Sequence, residues 1–283
     1  MTTMHGKVCI ITGATSGIGL QTARRLAAMG ADLVLVGRDP GRAAAALALL
    51  RRDSPQASVV MHYADLARMD HVRELGEKLA ALARIDVLIN NAGAAFWRRQ
   101  TTAYGLERTF ALNHLSYFLL TALLRPRLVA SAPARIVNVA SEAHRNASID
   151  FDDLMGERRY NGLSAYNRSK LCNILFTREL ARRLDGTGVT ANCLHPGFVA
   201  SRIGDNNENI IGLGFAIAKR LFAISPERGA ETPVYLATSA EVADKSGGYY
   251  VKCAPATASA RACDDAAARR LWRESARIAG IED

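Results

Sequence analysis

A chain of 283 residues with 49% hydrophobic and 22% charged side chains is long enough to enclose one large core and too evenly mixed for a membrane-embedded bundle. Its formal charge of +9 would suit a nucleic-acid partner, but the arginines fall as helical doublets (Arg24-Arg25, Arg51-Arg52, Arg182-Arg183) without interleaved aromatics, the pattern of solvated helix faces. The five cysteines (Cys9, Cys172, Cys193, Cys253, Cys263) contain no CxxC pair, against a disulfide framework or a zinc site, and no signal peptide or run of about 18 apolar residues is visible, so a cytoplasmic protein is expected.

From the amino end, the apolar run 8–11 reads as a buried strand. It leads directly into Thr12-Gly13-Ala14-Thr15-Ser16-Gly17-Ile18-Gly19, after which a helix is predicted over 18–29. In that position Gly13 permits a tight turn, Gly17 lets backbone N–H groups approach a pyrophosphate, and Gly19 allows close helix–strand packing. Gly13, Thr15, Ser16, Gly17, Ile18 and Gly19 are therefore candidate cofactor contacts. The second strand, 33–36, ends at Gly37-Arg38, where NAD-preferring folds carry an acidic residue. Gly37 repels nothing there, and Arg38 is a planar cation suited to a 2′-phosphate, which points to NADP(H). Asp39 is the competing ribose ligand, one or two positions late and followed by Pro40-Gly41, a setting in which aspartate often forms a turn.

Further along, helix 42–50, strand 59–62, helix 72–83, strand 87–89, helix 106–124, strand 136–139, helix 164–184 and strand 189–194 keep the same alternation. A strand at 249–251 follows Gly247-Gly248, and an amphipathic helix over 264–278 closes the chain. The order predicts an α/β fold: a Rossmann-type doubly wound parallel sheet of about seven strands with helices on both faces, as a single NADP-binding domain over 1–283. Residues 198–224 start polar and continue as a mostly apolar, glycine-interrupted helix beyond the sixth strand, where a substrate lid belongs. A lid of that character favours apolar or aromatic alcohol and carbonyl substrates. Helices 106–124 and 164–184 carry more apolar residues than one inner face requires, so a homodimer or homotetramer is expected. His114, His144 and His195 lack metal-ligand spacing and read as satisfied or loop histidines.

Four ordered motifs give the sequence a resemblance to the short-chain dehydrogenase/reductase family: the glycine loop, Asn90-Asn91-Ala92-Gly93, Ser141 at the end of Ile136–Ser141, and Tyr166-Asn167-Arg168-Ser169-Lys170. Stretches such as Leu112-Asn113-His114-Leu115, Lys170-Leu171-Cys172-Asn173 and Ser225-Pro226-Glu227-Arg228-Gly229-Ala230 resemble the retinol dehydrogenase branch in particular. The resemblance implies cofactor contacts at Asp65, Leu66, Asn91, Ala92, Gly93, Pro196, Gly197, Val199 and Ser201, with Ser201 standing where many relatives have threonine. It also implies a catalytic set of Asn113, Ser141, Tyr166 and Lys170, with Lys170 binding the nicotinamide ribose and Asn113 holding a water. Tyr166 and Lys170, four apart on a helix, share one face, so the ammonium is expected to lower the phenol's pKa from its usual value near 10. Tyr166 would then exchange the substrate proton while Ser141 holds the same oxygen. A cofactor-binding regulator without turnover and a sugar-nucleotide epimerase or dehydratase are the alternatives.

Overall fold

The computed structural model describes residues 3–198 and 224–282. The predicted lid, with Val199 and Ser201, lies outside the described residues apart from its end residues Phe198 and Ile224.

Strands β1 (Val8–Thr12), β2 (Asp32–Gly37), β3 (Val59–Tyr63), β4 (Val87–Asn90), β5 (Ala134–Val139), β6 (Val189–His195), β7 (Tyr249–Val251) and β8 (Ala254–Pro255) form one sheet in the order β3-β2-β1-β4-β5-β6-β7-β8. Every neighbouring pair is parallel except β7–β8. The two-residue β8 is one strand more than the sequence predicts, being too short for any hydrophobic alternation to show. The chain order reverses between β1 and β4, and a crevice beyond the carboxyl ends at such a switch point is where open α/β sheets bind ligands.

Apolar residues alternate between two cores, which is why the strands read as unbroken hydrophobic runs. Ile10 and Ile136 face one core while Cys9, Ile11 and Val137 face the other. The first core is closed by α3 (Met69–Ala80), α4 (Ser116–Ala130), α5 (Gly162–Arg183) and α7 (Asp265–Ala279), the last of which follows α6 (Glu231–Thr238) in the chain. The second is closed by α1 (Gly17–Ala28), α2 (Pro40–Asp53) and α6.

One expectation changes. The predicted helix 106–124 is a single α-turn, Arg108–Phe110, followed by a π-helix, Ala111–Leu115, and then α4. The wider π turn carries the entirely buried Asn113 and His114. Part of the apolar surface of α4 and α5 packs against α7 of the same chain. Trp272 of α7 stacks on Phe176 of α5 at 5.9 Å and meets Phe118 of α4 edge-on at 4.9 Å.

Candidate active site

The loop between β1 and α1 is shaped by close approaches that only glycine allows. Gly13 has φ +67°, and a Cβ there would lie 2.8 Å from the Ala92 Cα; a Cβ on Gly19 would lie 2.4 Å from the Gly13 carbonyl oxygen. Asn91 braces this loop, donating from Nδ2 to the carbonyls of Thr12 at 2.8 Å and Gly13 at 3.2 Å. Its side-chain amide is thus occupied by the protein, and its place on the cavity wall is that of a loop buttress. The α1 amino terminus is open: Ser16 stands at the N-cap position with no side-chain capping bond, and no acidic residue occupies the first turn. Unsatisfied N–H groups with a free hydroxyl suit a phosphate.

At the end of β2, Arg38 and Asp39 are placed differently. Asp39 caps α2, accepting from the Arg42 backbone N–H at 2.8 Å, and that hydrogen bond leads the causes that hold its carboxyl below its usual range. Arg38 and Arg42 both line the cavity, and Asp39 does not. Arg42 is a cofactor candidate that the sequence reading lacked, visible in advance only as a basic residue one helical turn after the cap. A Cβ on Gly37 would meet Thr15 Cγ2 at 2.4 Å, so the glycine also makes room for the loop.

All of these groups face one cavity of about 850 Å³ that runs from Arg38 and Arg42, past Asp65 and Leu66, the glycine loop and Asn91–Gly93, to Ser141, Tyr166, Lys170, Pro196 and Gly197. Its far end is bounded by Ala94, Ala95, Trp97, Leu112, Leu163 and Phe198, with Glu142 and His195 beside Ser141. Trp97, Leu163 and His195 carry no signature that marks them as cavity residues in the sequence, since a tryptophan in a connecting segment and a leucine in the first turn of a helix are common in any fold.

Ser141 ends the β5 segment as the cap of a short 3₁₀ turn, Glu142–Asn146. Its Oγ accepts from the Ala143 N–H at 3.2 Å, leaving the hydroxyl proton to be donated elsewhere. His144 supports this turn, with Nδ1 2.7 Å from the Ser141 carbonyl and Nε2 accepting from the Ser259 N–H at 3.1 Å. Tyr166 lies near the start of α5, which Asn161 caps and where Gly162 packs so closely that a Cβ would approach the Trp97 Cα to 2.4 Å. Arg168, within the Tyr-x-x-x-Lys stretch, donates to the Asp153 carbonyl at 3.3 Å and so ties α5 to the preceding loop.

Lys170 is buried, donates to the Val139 carbonyl at 3.0 Å, and has its Nζ 5.7 Å from the centre of the Tyr166 ring. Burial lowers its ammonium from 10.5 to about 8. The Tyr166 phenol moves opposite to expectation. Burial pushes it up to about 12, and hydrogen bonding by Ser141, not the lysine charge, opposes the rise. In the ligand-free chain the phenol is therefore protonated at neutral pH. Asn113 is fully engaged: Oδ1 accepts from Ala94 N–H at 2.9 Å, while Nδ2 donates to the Ala94 carbonyl at 2.9 Å and to Ser169 Oγ at 3.0 Å. A water held at this position would thus rest on the main chain of the π turn.

The order of these groups along the sheet is matched by a family model, described as short chain dehydrogenase, over residues 7–210. The chain belongs to the short-chain dehydrogenase family. It is 43% identical to retinol dehydrogenase 13 of Homo sapiens, over 99% of this chain and 86% of that protein. A crystal structure of an uncharacterized protein from Mycobacterium paratuberculosis superposes with a TM-score of 0.81 at 30% identity, covering 100% of this chain and 96% of that one. A short-chain dehydrogenase from Sphingobium yanoikuyae, solved in complex with NADPH, superposes at 0.65 with 30% identity, covering 81% of this chain and 82% of that one. The protein is thus a short-chain oxidoreductase acting on CH–OH or carbonyl groups. Among the described residues there is no cluster of metal-binding side chains and no helix long and apolar enough to cross a membrane.

Proposed function

We propose that this protein is an NADP(H)-dependent oxidoreductase that interconverts apolar or aromatic carbonyl compounds and their alcohols through Ser141, Tyr166, Lys170 and Asn113. The observation that carries the reading is the single cavity with Arg38 and Arg42 at one end, Ser141, Tyr166 and Lys170 in the middle, and the apolar walls of Trp97, Leu112, Leu163 and Phe198 at the other. The cofactor preference is supported by the absence of a carboxylate at Gly37 and by the NADPH complex of the Sphingobium relative. The likeness to retinol dehydrogenase 13 supports an apolar substrate, with retinoids among the compounds to test.

The nicotinamide supplies hydride in reduction and accepts it in oxidation. Tyr166 gives its proton to the oxygen of the carbonyl as charge develops there, and Ser141 donates a second hydrogen bond to the same atom. Because Ser141 Oγ already accepts from Ala143, its hydroxyl is oriented as a donor. Lys170, with an ammonium near 8, is a proton reservoir matched to neutral conditions and returns a proton toward the phenol.

A screen of NADPH and NADH consumption against aromatic, aliphatic, steroid and retinoid carbonyls tests the proposal. We expect turnover with NADPH on bulky apolar carbonyls. The best rates on small charged keto acids, or equal use of NADH, would overturn it.

A further inference from the structure

Three segments that bound the apolar end of the cavity meet at one hydroxyl, that of Tyr160, which is not itself on the cavity wall. The first segment, residues 94–97, supplies Ala94, Ala95 and Trp97 to the wall and belongs to no helix or strand, so its place is set by contacts from outside. Asn113 holds both main-chain groups of Ala94. Two residues on, the Phe96 carbonyl accepts from the Tyr160 hydroxyl at 2.7 Å. Tyr160 Oη also lies 3.2 Å from Glu107 Oε1 and 3.4 Å from Thr109 Oγ1. Glu107 is wholly buried and caps the turn leading into the π-helix that carries Leu112, accepting from the Thr109 N–H at 2.7 Å and the Phe110 N–H at 2.8 Å. The third segment is the start of α5, with Leu163 on the wall.

The phenol has one proton, and a carbonyl oxygen can only accept, so the bond to Phe96 runs from Tyr160. Burial pushes the Tyr160 phenol up to about 12, which keeps it a donor at neutral pH. The fit leaves no slack. A Cβ on Gly162, two residues after Tyr160, would lie 2.5 Å from the Phe96 oxygen, so this main chain rests directly on the first turn of α5. On the other side the Arg108 guanidinium lies 4.8 Å from the centre of the Phe96 ring. Phe96 is thus fixed by its ring and by its carbonyl, and Trp97 follows it in the chain.

We infer that Tyr160 is a positioning residue for substrate selection: its hydroxyl holds the Phe96 carbonyl, and through it Trp97, at a set separation from Leu112 and Leu163. A bulky apolar carbonyl compound gains from a wall that is already in place, whereas a small one held between Ser141 and Tyr166 does not reach it. The inference rests on the oxidoreductase reading above, because the hydroxyl sets the substrate end of that site.

Tyr160→Phe keeps the ring and removes the donor. We expect KM for a bulky aromatic carbonyl to rise about five- to tenfold, with kcat and KM for NADPH little changed and a short aliphatic aldehyde unaffected. Thr109→Val removes a second hydroxyl from the same cluster without touching Phe96, and should leave the ratio of kcat/KM for the two substrates as in the wild type. An unchanged ratio in Tyr160→Phe, or an equal fall in Thr109→Val, would overturn the inference. If Tyr160→Phe does not fold, Gly162→Ala displaces the same carbonyl with the hydroxyl intact and must lower the same ratio; an unchanged ratio there refutes it too. A second readout needs no turnover. The chain has two tryptophans, so in a Trp272→Phe background the fluorescence is that of Trp97, and Tyr160→Phe should make it more accessible to acrylamide. Identical quenching would overturn the inference. Absence of wild-type turnover on every carbonyl would instead refute the function, and the quenching would still report whether Tyr160 holds the segment.

Discussion

Replacing Lys170 by methionine is expected to abolish turnover and yet make the ligand-free protein more stable at neutral pH. The ammonium is 3% exposed and has one protein acceptor, the Val139 carbonyl. Burial lowers it from 10.5 to about 8. At ~1.4 kcal/mol for each tenfold change in proton affinity, keeping that charge inside at pH 7 costs on the order of 3 kcal/mol. Losing the bond to Val139 returns about 1 kcal/mol of this, while Asn173 still satisfies the carbonyl. The net gain of about 2 kcal/mol corresponds to roughly 4–8 °C in Tm for a chain of this size. The sign of the pH dependence follows from linkage. Between about 8 and 10.5 the unfolded chain binds the lysine proton and the folded chain has released it, so wild-type stability rises with pH across that window. The advantage of Lys170→Met should therefore be full below pH 8 and fade toward pH 10.5. Tyr166, raised by burial, contributes stability that is lost from pH 10 upward, but equally in both proteins. Thermal unfolding of both, without cofactor, from pH 6.5 to 10.5 measures this. A methionine variant that is less stable at pH 7, or whose advantage grows with pH, would refute the reasoning.

Tyr166→Phe should reduce kcat by about 10²–10⁴-fold with little change in NADPH affinity, measured by titration of protein fluorescence; substantial residual turnover would dismiss Tyr166 as the proton donor. Arg38→Ala with Arg42→Ala should lower kcat/KM for NADPH by about 10²–10³-fold relative to NADH, from the loss of two charge-assisted phosphate contacts, and an unchanged cofactor ratio would count against the 2′-phosphate role. Gly37→Asp should gain NADH activity only together with Thr15→Ser, because the new Cβ falls 2.4 Å from Thr15 Cγ2; a gain with Thr15 intact would show that the threonine rotates freely. Trp272→Ala should cost about 3–5 kcal/mol in denaturant unfolding, because it empties the space between Phe118 and Phe176; a loss under about 1 kcal/mol would show that α7 adds little to this core.

The fold was legible because the inner strands of this sheet are covered on both faces. Runs such as Leu33–Val36 are then apolar without interruption, and the helices between them keep their own period. What escaped notice were features with no period: the two-residue β8, and the π turn at Ala111–Leu115, which differs from an α-helix by one hydrogen-bond register and leaves composition unchanged. The apolar residues of the α4 and α5 stretches were visible, but the packing of α7 against them was not, since apolar composition does not name the element that covers it.

The site shows the same division at finer scale. Gly13, Gly19, Ser141, Tyr166 and Lys170 announce themselves because each does something few residue types can do, and the sheet brings them to one cavity. Arg42 is found one helical turn from Arg38 because Asp39 caps α2, a backbone hydrogen bond that no residue pattern alone distinguishes from a ribose ligand. The Tyr166 phenol was misjudged for a related reason. Four-residue spacing puts the lysine on the same face, but the balance between its charge and burial depends on the whole enclosure of the ring, and here burial wins. The part played by His144, which holds the turn that carries Ser141, could be derived only after its contacts with the Ser141 carbonyl and the Ser259 N–H were known. Residues whose role is to point other residues have no chemistry of their own to advertise, and for that reason they are read from structure.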